Sequence, residues 1–547
     1  MRSRRDKNQV KELLSFKFLK EFIGVYGAFF FLLFPLYYRN NYVRIGEAKW
    51  LIYRNFTIFF KVFGFAVPSG LGVMTILFLW HMRDLNKTGG MESFWKKFSV
   101  TDICVAAYII VCFIATLFTP FKKYVVMGSV GWHCGLLFQL SVVLLYFFIS
   151  RYWRWDDIMF MAYLVASAVV YLLAVFHRFS IDPFKFYEGI SDGEKTMFLT
   201  TMGQNTWYSS YIVVMFPLGL FTYWYVQKKA YRIFALLHLI LGAMTIVTQD
   251  SDSAFMALFA IYCVLFAASF RENVRMIRLF ESLAVMFVTW RVTGFLQLIF
   301  PKSVLTTGKI MLFCSQNPLM WIPCIAAIAI YVMLLRLDKA HKLDVTKYGW
   351  IFKVFMGFVI AGVVCLVLYI ILNTTGALPE GMRSTNNYLY FNDGWGNHRG
   401  INWKVALQTY VRSAKQYPLT AIVGGGPDTY MESNLIYCKD AIMAYFEPKG
   451  VNALQSAHNE WLTELVWGGV LGFAAYVGIF VTACVRFYKA SSKNPELLAV
   501  VMAIAGYMMH NFFCYQQVIC TPTIFILMGA GECIVRLGEL RLISDGG

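Results

Sequence analysis

Apolar stretches of about twenty residues recur along the whole chain, separated by short polar turns. They lie near 22–38, 56–80, 100–119, 134–150, 157–176, 207–227, 231–248, 254–270, 280–299, 316–335, 351–372, 462–485, 497–513 and 518–535. Each is continuous rather than alternating, which suits a helix and not a half-buried strand. Such a helix crosses about 30 Å of hydrocarbon. A chain in lipid must satisfy its own backbone polar groups through helices or a closed barrel, and continuous runs exclude the barrel. The expected fold is therefore all-α: a polytopic integral membrane protein of about 12–14 transmembrane helices with one long extracytoplasmic loop.

Charge between the stretches predicts orientation. With the N-terminus in the cytoplasm, the inside loops hold Arg83, Lys87, Lys96 and Lys97, then Lys228, Lys229 and Arg232, then Arg271, Arg275 and Arg278, then Arg336, Lys339, Lys342 and Lys347, and last Arg486, Lys489 and Lys493. Opposite loops such as Gln249–Ser253 and Cys514–Pro522 carry no cation, and only 39–54 runs against the pattern. The positive-inside tendency then puts both termini of this multi-pass chain in the cytoplasm. The basic start, Arg2, Arg4, Arg5 and Lys7, precedes an apolar stretch too long for a signal-peptide core, so a retained first span is expected. Three regions follow: a transmembrane bundle over 1–372, a loop over 373–459, and further spans over 460–547. Inside the loop, Trp403, Ala406, Leu407, Tyr410, Val411 and Ala414 recur at helical spacing, opposite Lys404, Gln408, Arg412, Lys415 and Gln416. This predicts an amphipathic helix capped by Asn402 and closed by Pro418.

Composition narrows the class. Hydrophobic residues make up 59% of the chain and charged residues only 15%, which excludes a soluble protein of this length. The net charge of +18 sits mostly in short loops and does not suggest nucleic acid. The 12 cysteines form no CxxC pair and read as small buried hydrophobes.

The densest polar cluster is Ser456-Ala457-His458-Asn459-Glu460, where the long loop enters the next span. A histidine there can take a proton from a hydroxyl near neutral pH. Glu460 and Glu464 share a helix face and either orient His458 or face water. Arg399, in Asn397-His398-Arg399-Gly400, offers a guanidinium that grips phosphate without a metal. Arg291 interrupts an apolar run, a costly position that is usually functional or paired. Gly424-Gly425-Gly426-Pro427-Asp428 lacks the lysine and hydroxyl of a phosphate loop and reads as a tight turn that starts a helix at Pro427. Asp250 and Asp252 read as a solvated turn, and His133, His177 and His510 as structural. Gly468 and Gly472 have the spacing of close helix packing. No carboxylate or histidine cluster has metal-ligand spacing, so neither a metal nor another cofactor is expected.

Arg399-Gly400-Ile401-Asn402-Trp403, then Pro418 and Gly424-Gly425-Gly426, then His458-Asn459 opening the span with Gly468-Gly469 resemble the signature of the O-antigen ligase and O-antigen polymerase family of bacterial membrane glycan transferases. Weaker echoes are Gly131-Trp132 with Gly135-Leu136, Gly203-Gln204-Asn205, and Ser251-Asp252-Ser253, where many relatives carry Ser-Arg-Gly. A basic residue that relatives often carry near Trp132 is not evident, though Lys122, Lys123 and His133 are close. The resemblance implies a metal-independent glycosyltransferase of polysaccharide biosynthesis in the cell envelope. It would move a glycan from an undecaprenyl-diphosphate donor to a glycan, lipid or protein hydroxyl on the outer face of the membrane. His458 would be the general base with Asn459 orienting it, and Arg399, Arg291, Asn459 and Trp403 would bind substrate, the two arginines at the diphosphate. The helix from Trp403 would roof the cavity, its basic face toward anionic lipid of the bilayer or toward the diphosphate. The rival is a transporter or lipid-linked oligosaccharide flippase without catalytic activity, which ought to carry ionisable residues inside several spans; these spans are mostly clean.

Overall fold

The computed structural model describes residues 13–39, 42, 44–88, 90–95 and 98–544. Arg2, Arg4, Arg5, Lys7, Lys96 and Lys97 lie outside these. The protein is all-α, and its only strands are two short two-stranded hairpins among the described residues. The bundle comprises α1 (Leu14–Ala28, prolonged by a π-helical turn over Phe29–Leu33), α2 (Ile45–Thr57), α3 (Gly70–Thr88), α4 (Val100–Phe118), α5 (Leu136–Tyr152), α6 (Asp157–Arg178), α7 (Asn205–Tyr225), α8 (Lys229–Ile246), α9 (Ser253–Ser269), α10 (Asn273–Ile299), α11 (Trp321–Lys339) and α12 (Trp350–Thr374). After α13 (Trp395–Gln416) come α14 (Glu460–Ala490), α15 (Leu497–His510) and α16 (Thr521–Ser544). Among the described residues eight helices are long and apolar enough to cross a membrane, and α5, α9 and α15 are shorter apolar helices. The chain is a polytopic membrane protein.

Each of the fourteen apolar stretches holds a helix, but two boundaries differ from expectation. The stretch at 56–80 is not one span. Phe59–Val62 pairs antiparallel with Phe65–Pro68, and α3 starts only at Gly70. Apolar content is the same in both arrangements; the reversal is made by Phe63 and Gly64, both at positive φ. The segment 39–54 is not a plain loop either, since α2 occupies most of it and buries Lys49 against the carbonyls of Phe34 and Pro35.

Close helix approach depends on small residues. A side chain at Gly506 in α15 would meet the Val213 carbonyl of α7 at 2.9 Å, and one at Gly529 in α16 would meet Ile149 of α5 at 3.1 Å. Gly472 faces Val111 of α4, in keeping with close packing. Its neighbour Gly469 does something else: at φ 59° and ψ −162° it breaks α14. The carbonyls of Val466 and Trp467, which lose helical donors at the break, accept the N–H groups of Gly425 and Gly426 at 2.9 and 2.8 Å. Gly424, at φ 75°, lies so close to the Trp467 carbonyl that a Cβ would sit 2.1 Å from it. The glycine turn is therefore plugged into a gap in a spanning helix. The next helix starts at Tyr430 rather than Pro427.

The long loop is folded. Beside α13 it contains helices Leu419–Val423, Tyr430–Tyr437 and Lys439–Phe446. Asn402 does not cap α13; it is buried within it, because regular helix is already under way after the left-handed residues Gly396, Asn397 and His398.

Candidate functional site

Several connections between helices come together on one face of the bundle. On that face the segments around residues 47, 132, 204, 252, 388, 399, 458 and 515 meet. The opposite face is tied by ion pairs such as Arg154–Glu21 at 3.2 Å and Arg486–Glu532 at 2.5 Å.

His458 precedes α14 and has φ +48°, a conformation that costs a non-glycine residue energy and often marks a functional position. Asn459 is extended; its Oδ1 accepts the Leu462 N–H at 3.0 Å and its carbonyl accepts from Thr463. Asn459 therefore caps α14, and its side chain is engaged there rather than on the His458 ring. The His458 imidazole packs edge-on against Tyr515, with ring centres 5.2 Å apart, and neither ring nitrogen has a hydrogen-bond partner among the described residues. Burial first, and the Arg399 charge second, hold the imidazole down from its usual value to about 4. It is neutral at pH 7, the form that accepts a proton.

Arg399 follows three residues in left-handed backbone, Gly396, Asn397 and His398. That reversal turns the chain so that Nη1 donates to the Gly396 carbonyl at 2.6 Å while Nη2 and Nε reach the Phe513 carbonyl at 3.2 and 3.4 Å. The guanidinium also lies 5.4 Å over the Phe513 ring. No carboxylate is within ion-pair distance of Arg399 among the described residues, and burial lowers its pKa without removing its charge. A partly desolvated cation with only carbonyl partners favours an anion. Trp403 lies one layer behind, stacked on Phe513 at 6.3 Å and tilted against Trp395 at 5.0 Å.

Arg291 does not join this group. Its guanidinium donates to the carbonyls of Asn317 and Gln316 at 2.9 and 3.2 Å and lies over Trp321, so it closes the end of the helix Lys309–Gln316. Glu460 and Glu464 point inward and are buried. Glu460 accepts from Tyr476, Tyr507 and Asn511, and Glu464 accepts from Tyr108 and Gln516. Neither faces water and neither touches His458.

Asp250 is not a solvated turn residue. It accepts the N–H groups of Thr307 and Gly308 and lies 3.7 Å from buried Arg178. Asp252 accepts from Tyr388 at 3.0 Å. Asp428, at the end of the glycine turn, accepts from Ser129 N and Cys134 N, both at 2.9 Å, and from Ser129 Oγ at 3.1 Å. It thereby pins the loop that carries Trp132. Burial raises its carboxyl to about 7 against the pull of those hydrogen bonds. His133 is engaged rather than idle: its Nε2 lies 2.8 Å from Glu47.

The residue at the centre is one that sequence reasoning passed over. Tyr515 meets Trp132 at 4.4 Å and accepts the Trp207 indole N–H at 2.9 Å. It also donates to Gln204 at 3.2 Å. It lies in the uncharged connection between α15 and α16, whose aromatic and amide run Phe512-Phe513-Cys514-Tyr515-Gln516-Gln517 was the signal available. Among the described residues no three of His, Cys, Asp and Glu gather as a metal site. No family model matches the chain, and no curated protein matches it either.

Proposed function

We propose that the chain transfers a glycan from an undecaprenyl-diphosphate-linked donor to an acceptor hydroxyl, on the extracytoplasmic face of a bacterial cytoplasmic membrane. The observation that carries this is the pairing, at one end of a lipid-embedded bundle, of the neutral His458 imidazole with the Arg399 guanidinium; among the described residues the imidazole has no hydrogen-bond partner and the guanidinium has no carboxylate within ion-pair distance. Two further points support it. The segments Gly131-Trp132, Gly203-Gln204-Asn205 and Ser251-Asp252-Ser253, which echo the O-antigen ligase and polymerase signature, gather around this pair through Tyr515 and Tyr388. The opposite face carries the cation-rich short connections, as a cytoplasmic face does.

In the transfer, the acceptor oxygen bonds to the anomeric carbon as the bond from that carbon to the phosphate oxygen breaks. Undecaprenyl diphosphate leaves with the electron pair, and Arg399 stabilises the charge that grows on it. The acceptor proton passes to a ring nitrogen of His458. The hydroxyl becomes strongly acidic as its new bond forms, so a base held near 4 still accepts late in the step. Arg291 is given no part in holding the diphosphate, since its guanidinium lies away from this group, at the end of the helix Lys309–Gln316.

Purified protein incubated with an undecaprenyl-diphosphate glycan and candidate acceptors should yield a glycosylated acceptor and free undecaprenyl diphosphate. The absence of both products from folded wild-type protein with every acceptor class would overturn the reading.

A further inference from the structure

At the face of the bundle opposite His458, α1, α6, α7, α15 and α16 do not close on one another. They leave a cavity of about 290 Å³, near the lower end of the range of about 300–1,000 Å³ usual for ligand pockets. Small residues make the room: Gly24 and Ala28 of α1, Ala499 of α15 and Ala530 of α16 line its wall. A Cβ added at Gly24 would meet nothing within 4 Å. Val25, on the same wall, is 68% exposed, so the cavity opens on the outside of the bundle, where lipid lies. Its depth has a natural measure. Glu21 stands at the mouth, and Phe31, stacked on Tyr163 at 4.7 Å, lines the inner end with Leu218 and Leu527. From Glu21 to Phe31 the helix rises about 15 Å at about 1.5 Å per residue, half of the roughly 30 Å of hydrocarbon in a bilayer. The recess is one leaflet deep and apolar at its base.

The mouth carries charge of both signs. Lys20 and Arg154 bring cations, and Glu21, Asp156 and Glu496 bring carboxylates in excess of them. Glu21 is engaged by Arg154 at 3.2 Å, and Asp156 accepts the Met159 N–H at 2.9 Å. The half-buried Glu496, just before α15, makes no side-chain hydrogen bond or ion pair among the described residues. Trp155, 40% exposed, shares the mouth. A carboxylate and an indole together suit an ammonium group, the one through a charge-assisted hydrogen bond and the other through the face of its ring.

We propose that this cavity holds a phosphatidylethanolamine of the leaflet opposite His458. One acyl chain fills the recess between α1, α6 and α16, the ammonium meets Glu496 and Trp155, and the phosphate lies toward Lys20 and Arg154. The headgroup selects the lipid. One with net negative charge meets the excess of carboxylates, and a quaternary choline has no N–H to give Glu496. The assignment stands independently of the transfer reading. A lipid that binds only the folded bundle also stabilises it, and α15 and α16, which carry the connection of Tyr515, are among the helices it joins.

The test uses full-length protein stripped of lipid in detergent and titrated with phosphatidylethanolamine, phosphatidylcholine or phosphatidylglycerol of matched chains. Native mass spectrometry counts bound lipid, and thermal unfolding reads its effect. Phosphatidylethanolamine should bind about tenfold more tightly than the other two and raise the thermal midpoint. Gly24→Leu, which extends a side chain into the open space, should lose this lipid and its thermal shift while unfolding, without lipid, at or above the wild-type midpoint. Glu496→Gln should still bind lipid but lose the preference for phosphatidylethanolamine. Equal binding of the three lipids by wild type overturns the proposal, as does undiminished phosphatidylethanolamine binding by folded Gly24→Leu. Should Gly24→Leu fail to fold, Glu496→Gln decides alone, and a preference left at the wild-type value overturns the site.

Discussion

His458 and Glu460 are two residues apart, yet they belong to different kinds of surroundings. Glu460 is the first residue of α14 and every hydrogen bond its carboxylate needs is supplied: Tyr476 and Tyr507 donate to one oxygen, Tyr507 and Asn511 to the other. His458 is nearly as enclosed, but its ring nitrogens have no partner among the described residues and its backbone is strained. The two arginines differ in place rather than in saturation. Arg291 ties the end of the helix Lys309–Gln316, while Arg399 holds the Gly396 and Phe513 carbonyls beside Tyr515. A buried polar group whose bonds are all made serves the fold. One left open at a face where several segments meet can do chemistry. Burial alone does not separate the two cases.

The contrast would break most visibly at His458. His458→Ala should lower transfer about a hundredfold to ten-thousandfold with thermal unfolding unchanged, whereas Glu460→Ala should prevent stable folding, read as loss of monodisperse protein on size exclusion. The same residue fixes a pH profile. The neutral imidazole is the active form and its folded pKa is lowered to about 4, so the rate should be level from pH 8 down to about 5 and fall as pH drops through 4. A midpoint near 6.5 in the pH dependence of kcat would place the base elsewhere.

Arg399→Ala should come next, raising the donor KM about tenfold to a hundredfold, with Lys a partial rescue because it lacks the planar fork. Arg291→Ala sharpens the comparison: it should leave the donor KM at the wild-type value and lower only the thermal midpoint. Asp428→Ala frees three donors in the loop of Trp132 and should cost about 1–3 kcal/mol of stability in denaturant unfolding. The smallest effect is expected from Asn459→Ala, which removes a helix cap worth about 0.5–2 kcal/mol. Activity per folded molecule should survive it.

The sequence by itself determined the class of the fold, because a helix in lipid must be apolar for about twenty residues and that demand is written locally. It also singled out His458 and Arg399, whose neighbours in the chain form a compact motif. It misread 56–80, where a turn at Phe63-Gly64 interrupts residues whose apolar character suits strand and helix equally. It likewise read Arg291 and Asn459 as ligands, since a charged or amide side chain looks the same in the chain whether its partner is a helix end or a substrate. Only the tertiary structure decided which polar groups were already bonded. The donors for Glu460 come from α14 and α15, and Asp428 reaches back about three hundred residues to Ser129. Tyr515 is the clearest case. Its own segment is uncharged and unremarked, and its place beside His458 follows from α14, α15 and α16 packing so that three connections distant in the chain end on one face. Hydropathy is a property of neighbours in the chain, whereas hydrogen-bond saturation belongs to neighbours in space.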